Sequence, residues 1–434
     1  MDTIAQLAQH VKSLVDDFAC LASQSHPVIL RQRKFSASTL ASTFILGFLH
    51  DPHASDEQLA QMAGMLGVNV TTQAVEQRYT QRLADFLQEL FRHAVQVQLG
   101  SQQALAPLLE RFTDVELQDS SVVSLPEEVA SSFPGHGGDA SVAGLKLQTR
   151  WSLKTGSLKI QTEPGRQGDL SSTMLHDVPA PGTLRLKDMG YFKTSALLQI
   201  HQANAYFLMP LPIGVNVYDR QGVKINLLKT FPKKGKMLDT EILLGNENRV
   251  PTRLLVWRAP DHVVKQRRQR LKKQAKKRGR KVTSEQWERC QWTVLVTNAP
   301  ITKLTPPEAR VLYRARWQIE LLFKRWKSLG RIADTLASST VRCMVQLWSR
   351  LLAAVLQQWL QTSVWGRADI SLYKAWELIQ SFAVAIATAL HNRKRLIEVL
   401  HILTQAASST IRQNPRKQPS TFELLNDPTR WDGP

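Results

Sequence analysis

GTLRLKDMGYFKTSALLQIHQANAYFLMPLPI, residues 182–213, reads in three pieces. GTLRLKDMGYF alternates as a strand that ends at Asp188, KTSALLQIHQANA has helical periodicity, and YFLMPLPI is an apolar run of strand length. Upstream, VELQDSSVVSLP (115–126), SVAGLKLQTRWSL (141–153) and SLKIQTEP (157–164) are β-rich runs separated by Gly-rich or polar turns, as in an antiparallel meander. Asp119 lies inside the first of these strands.

Three strands, a fourth carrying an acid, a helix and a fifth strand form the order of a ribonuclease-H-like α/β domain. Residues 206–305 interrupt it with further strand-like runs, INLLKTF (225–231), KMLDTEILL (236–244), TRLLVWRAP (252–260) and WTVLVTN (292–298). Among them, residues 265–281 include 11 Lys or Arg in 17 positions. A run this dense repels itself, so it is either disordered or a helix that orders on an anionic partner; a solvated linker is an equal reading. From residue 306 onward the pattern is helical, including VRCMVQLWSRLLAAVLQQWL (341–360) and a section over 373–406 after Gly366.

Residues 1–110 lack strand alternation and read as helices. Within SDEQLAQMAGMLGVNVTTQAVEQRYTQRL (55–83), Ser55 is an N-cap with Gln58 three residues on, and Ala63 and Gly67 stand four apart. A second helix opens near Thr71 or Thr72. A helix-turn-helix that contacts DNA has this pattern, and so does any αα-hairpin. Arg31, Arg33 and Lys34 suit phosphate contact or a solvated basic loop equally.

With 434 residues and 43% hydrophobic content the chain is globular and long enough for several domains. Its 56 Lys and Arg against 36 Asp and Glu, a formal charge of +20, call for a polyanionic partner, nucleic acid first. A membrane is not expected: the most apolar stretch is broken by Gln346, Arg350, Gln357 and Gln358. Cys20, Cys290 and Cys343 are too few and too scattered for a disulfide framework or zinc site, and the amphipathic N-terminus is no secretory signal. A reducing, cytoplasmic setting follows.

LYRARWQIELLFKRWKSLG (312–330) spaces Tyr313, Arg316, Glu320 and Lys327 as Y-x2-R-x3-E-x6-K. On one α-helix these fall within about 60° of each other, a face with one carboxylate among cations. It is either a solvated charged face or an oxygen ligand flanked by phosphate-holding cations. Alone, Asp119 passes for a strand-end residue and Asp188 for a turn former. Jointly with Glu320 they make the all-oxygen donor set that Mg2+ or Mn2+ prefers, and two such ions suit phosphodiester displacement without a general-base His.

QDSS at Asp119, KDMGYF at Asp188 and the Y-R-E-K spacing, with its TNAP lead-in, resemble the cut-and-paste DDE transposases of bacterial insertion sequences, specifically the YREK-signature group. The resemblance covers roughly residues 30–350. It implies a helical N-terminal DNA-binding domain (1–110), a split ribonuclease-H-like core (111–205 and 306–360), a β-rich insertion (206–305) and a C-terminal helical region (361–434) for synaptic dimerisation. Asp119, Asp188 and Glu320 become the catalytic metal ligands, for Mg2+ or Mn2+ as a pair of ions. Tyr313, Arg316 and Lys327 hold phosphates of the transposon end. Trp292, which precedes Tyr313 by 21 residues, resembles the insertion-domain aromatic that stacks a flipped base during hairpin formation, and Trp317 a second aromatic; a core role for Trp292 stays open. The implied partners are double-stranded DNA, both terminal inverted repeats and target, and a second copy of the chain, at the bacterial nucleoid. The basic run maps onto no family feature. A catalytically inactive DNA-binding derivative and a metal-dependent structure-specific nuclease are the alternatives.

Overall fold

The structure, a computed structural model, describes residues 3–29, 34–97, 106–137, 141–232, 237–334, 337, 339–364, 371–411 and 419–430. Arg31, Arg33 and Gly366 lie outside them. In chain order the helices are α1 (Thr3–Ser13), α2 (Ala19–Ser25), α3 (Ala37–His50), α4 (Asp56–Met65), α5 (Thr72–Glu76), α6 (Gln81–Ala94), α7 (Pro107–Glu110), α8 (Thr194–Gln202) and α9 (Leu227–Thr230). They continue with α10 (Asp261–Lys277), α11 (Ser284–Arg289), α12 (Pro306–Ala315), α13 (Trp317–Ser328), α14 (Thr340–Val364), α15 (Leu372–Ala389), α16 (Arg393–Thr410) and α17 (Thr421–Asn426). The strands are β1 (Val115–Leu125), β2 (Ala143–Ser152), β3 (Leu158–Pro164), β4 (Leu184–Lys187), β5 (Tyr206–Pro210), β6 (Val217–Tyr218), β7 (Met237–Leu244), β8 (Val250–Arg258) and β9 (Trp292–Thr297). The architecture is mixed α/β.

Two compact units are present, one from Met1–Ala104, Ser120–Gln167 and Ile319–Arg416, the other from Leu105–Asp119, Gly168–Gln318 and Lys417–Pro434. In the first, α3 is apolar on nearly all sides and is buried from Leu40 to Leu49, the pattern of a central helix. Its Gly47 is needed for close approach, since a Cβ there would collide with the Leu59 side chain of α4. Of the polar residues that interrupt the apolar run of α14, Arg350, Gln357 and Gln358 are buried as well: Arg350 donates to the carbonyls of Arg331 at 2.9 Å and Asp334 at 2.8 Å. Such hydrogen bonding makes burial tolerable. Among the described residues no helix is long and apolar enough to cross a membrane.

Ser55 and Gln58 form a reciprocal capping box at α4, and Gly67 takes a φ of +80° that lets the chain leave that helix. Thr71 caps the next helix as its side chain accepts from Ala74 N at 3.2 Å. That helix, α5, is only five residues long, because Thr80 starts α6 soon after. The second helix thus opens where expected, at Thr72, and is short. Arg342 on α14 grips Asp56 at 2.6 and 2.5 Å and lies 4.1 Å from the Tyr79 ring, fixing the start of α4. Lys34 donates to the Asn69 carbonyl at 2.7 Å.

The first unit also contains the antiparallel β2–β3 hairpin, in register from Leu145 with Pro164 to Trp151 with Leu158. In the second, strands run in the order β1, β4, β5, β9, β8, β7, β6. β1, β4 and β5 are parallel, and β9 is antiparallel to both β5 and β8. Ile200 and Leu197 of α8 bury against Phe207, Met209, Leu254, Val256, Val294 and Val296. INLLKTF is not a strand: the Asn226 side chain accepts from Lys229 N at 3.3 Å and caps the one-turn α9. A short apolar run carries too little periodicity to separate the two outcomes.

The basic run is folded over most of its length as α10. Its pairs Arg268–Lys272, Lys272–Lys276 and Lys273–Lys277 stand four apart on one helix, each costing about 0.2–0.5 kcal/mol. Burial of one side offsets this: Val264 packs with Ala259 and Cys290, flanked by Val263 and Leu271. Arg267 donates to the Trp292 carbonyl and to Thr293 Oγ1, both at 3.0 Å.

Candidate active site

Parallel pairing places Gln118 opposite Lys187, so Asp119 within β1 and Asp188, the first residue past β4, both follow that pair. Adjacent strands are about 4.8 Å apart, which sets two carboxylates side by side. β4 stops at Lys187 because Asp188 begins a 3-10 turn, Met189–Tyr191.

α12 faces this pair. Its start is fixed by a capping box in which Thr305 N donates to Glu308 Oε2 at 2.9 Å, and Arg111 binds the same oxygen at 2.8 Å. Burial works against the charged Glu308, but those hydrogen bonds outweigh it and hold its pKa below the usual carboxylate value. At the other end of α12, Arg316 donates from Nη1 to Asp119 Oδ2 at 2.8 Å, with both side chains mostly buried. Its guanidinium sits 5.7 Å from the centre of the Tyr313 ring. Burial raises the Tyr313 pKa well above its ordinary value; Arg316 opposes this, and Asp188 and Asp119 add to it. Tyr313, Arg316, Asp119 and Asp188 thus form one electrostatic cluster.

Residues 313–327 are not one helix. α12 ends at Ala315, and the Arg316 N–H reaches back three residues to the Tyr313 carbonyl at 3.2 Å before α13 begins at Trp317. This tightened turn breaks the uniform 100° step on which a single shared face depends. Glu320 and Lys327 belong to the first compact unit, whereas Asp119, Asp188, Tyr313 and Arg316 belong to the second. Burial lowers the Lys327 pKa. Among the described residues no group of three or more His, Cys, Asp or Glu is arranged to hold a metal ion. The donor chemistry of Asp119 and Asp188 nonetheless fits a hard divalent cation, with Arg316 supplying positive charge to the pair.

Trp292 opens β9 and is half-buried, its ring 5.2 Å from Phe231 and tilted by 49°. It packs on the apolar core and also lines a cleft of about 510 Å³ together with Met189, Tyr313 and Leu211. Trp317 is 54% exposed. Sequence reasoning missed the arginines around the cleft. Burial pushes Arg289 down to about 10, with Glu285 opposing and Arg267 reinforcing the shift; burial and Arg267 also lower Arg310. Arg267 was one cation in a dense run, and nothing local distinguishes it.

Residues 111–356 match the family described as the transposase DDE domain. The chain is 25% identical to the transposase for insertion sequence element IS231B of Bacillus thuringiensis subsp. berliner, covering 93% of this chain and 91% of that protein. It is 25% identical to the transposase for insertion sequence element IS1151 of Clostridium perfringens over 65% of each chain. A putative transposase for insertion sequence element IS186A of Escherichia coli (strain K12) shares 30% identity over 28% of this chain and 35% of its own.

Proposed function

We propose, for a chain that belongs to the DDE transposases of insertion sequences, a specific division of labour for cutting an element's ends and joining them to target DNA. Asp119, Asp188 and Glu320 hold Mg2+ or Mn2+, as two ions. When bound, these supply Lewis acidity to in-line displacement at phosphorus. Arg316, one hydrogen bond from Asp119, exchanges that carboxylate for a phosphate oxygen of the bound strand. The Tyr313 hydroxyl, held protonated, donates to the same backbone, and Lys327 adds a cation. Trp292 stacks a base displaced when the freed 3'-hydroxyl attacks the opposite strand to form a hairpin, and Trp317 supplies a second aromatic surface.

The antiparallel β2–β3 hairpin and the parallel β1, β4 and β5 with α8 support a ribonuclease-H-like core over residues 111–205 and 306–360. Residues 206–305 then serve as its β-rich insertion, residues 1–110 bind the terminal inverted repeats, and residues 361–434 contribute to a synaptic homodimer at the nucleoid. The observation that supports the reading is the register of β1 with β4, which ends at Gln118 opposite Lys187 so that Asp119 and Asp188 follow next, with Arg316 bonded to Asp119.

Purified protein incubated with inverted-repeat ends, target plasmid and Mg2+ tests it. The parent cuts and joins; Asp119→Ala, Asp188→Ala and Glu320→Ala bind ends without cutting. Near-normal cleavage by Glu320→Ala removes that residue from the ligand set. Cutting without joining identifies a nuclease, and binding without either identifies a DNA-binding derivative.

A further inference from the structure

The cleft lined by Trp292 and Tyr313 carries three arginines, Arg267, Arg270 and Arg289, and among the described residues no Asp or Glu lines it. Their roles differ. Arg267 is spent on the protein, bound to the Trp292 carbonyl and Thr293 Oγ1. Arg289 uses Nη2 on the Leu211 carbonyl at 2.7 Å, while its Nη1 is buried with no hydrogen-bond partner. A buried guanidinium N–H left unbonded is costly, and a charged acceptor would relieve it. Glu285, the carboxylate that acts on Arg289, forms no ion pair with it among the described residues. Arg270, one turn after Arg267 on α10, is exposed, lines the cleft and makes no hydrogen bond or ion pair among the described residues. Leu211, Ile213, Leu271, Val294 and Leu295 give the cleft an apolar floor.

An aromatic and apolar floor below unneutralised cations suits one unit of a polynucleotide, with the sugar and base on the floor and the anion above. We propose that this cleft is a seat for a backbone phosphate of DNA, with Arg289 Nη1 as its inner donor and Arg270 as its outer one. It adds Arg289 and Arg270 to the phosphate contacts assigned to Tyr313, Arg316 and Lys327, shares Tyr313 as a lining residue, and rests on the reading that DNA is the substrate. Arg267 is a positioning residue that holds α10 against β9.

Binding of an inverted-repeat duplex in which each phosphate in turn is a neutral methylphosphonate tests the seat. In the parent, one or two adjacent neutral linkages weaken binding roughly tenfold to a hundredfold, the worth of a charge-assisted hydrogen bond. Arg289→Gln loses that penalty at the inner linkage. Arg270→Gln, at an exposed position where the fold is indifferent, loses it at the neighbouring one, so the seat is testable even where Arg289→Gln fails to fold. An identical penalty profile in the parent and Arg270→Gln, or a flat one in the parent, overturns the seat. A parent that binds no duplex overturns the DNA reading itself, whereas a parent that binds and cuts ends with the same penalty profile as Arg270→Gln overturns only the seat.

Discussion

Arg316 Nη1 lies 2.8 Å from Asp119 Oδ2, so a cation expected to grip DNA is bound to a carboxylate expected to grip a metal. Under the proposed roles, binding of DNA and metal would draw the two side chains apart. Arg316→Gln removes a cation from beside a mostly buried carboxylate, and stability should fall by about 1–3 kcal/mol. Chemical denaturation of the metal-free protein checks this, with end cleavage at saturating DNA reduced in parallel. Unchanged stability would make the pair an incidental surface contact.

The exposed side of α10 should add affinity without sequence preference. Lys265, Lys273 and Lys276 are exposed and make no ion pair among the described residues. Changing all three to Gln should weaken inverted-repeat and random duplexes alike. The salt dependence should flatten by about 0.9 in log–log slope for each DNA phosphate that the helix no longer neutralises. Because like charges on the helix are relieved, thermal stability should hold or rise slightly. An unchanged slope would leave α10 a bystander.

The packing of Trp292 and its proposed stacking role are separated by a pair of substitutions. Its contact with Phe231 and the core predicts a loss of stability for Trp292→Ala of up to about 3–5 kcal/mol, the range for an aromatic truncation. Its place in the cleft predicts nicked ends accumulating with few hairpins on a denaturing gel. Trp292→Phe keeps most of the packing, so a hairpin defect in that variant isolates the stacking role. Normal hairpin rates in a folded Trp292→Phe and in Trp292→Ala would confine the residue to the core.

Tyr313 and Tyr79 both have pKa values raised by burial from an ordinary 10.0, with nearby carboxylates adding to the shift. The folded state therefore keeps these protons where the unfolded chain releases them. Stability from this source is complete below pH about 10 and declines as pH rises above it. Denaturation from pH 8 to 11 should show that decline, shallower in Tyr313→Phe. An equal slope in the variant would show that Tyr313 ionises as freely folded as unfolded.

Sequence reading succeeded where a local pattern carries its own physics. The run around Asp119, the strand before Asp188, α8, and the strands β2, β3, β7, β8 and β9 follow from alternation and turn residues. The Ser55–Gln58 cap and the Gly67 turn follow from backbone demands. Short or dense segments were misread or left open: INLLKTF has too few residues to show a period, and the lysines and arginines of residues 265–281, for which a helix was one of the readings, look alike until one side of that helix is buried.

Charge pointed to a polyanionic partner, and the motifs at Asp119, Asp188 and Tyr313 to Lys327, through their resemblance to DDE transposases, named the enzyme and its acids. The spacing assumed one uninterrupted helix, and only the folded chain shows the turn tightening at Arg316. Which residues meet across long separations was equally invisible: Asp119 and Arg316 are 197 positions apart, and Arg289 reaches Leu211 across 78. Pairing of β1 with β4 and the docking of α10 onto β9 decide those encounters, because partner choice depends on burial and register summed over the whole unit and not on any local stretch of sequence.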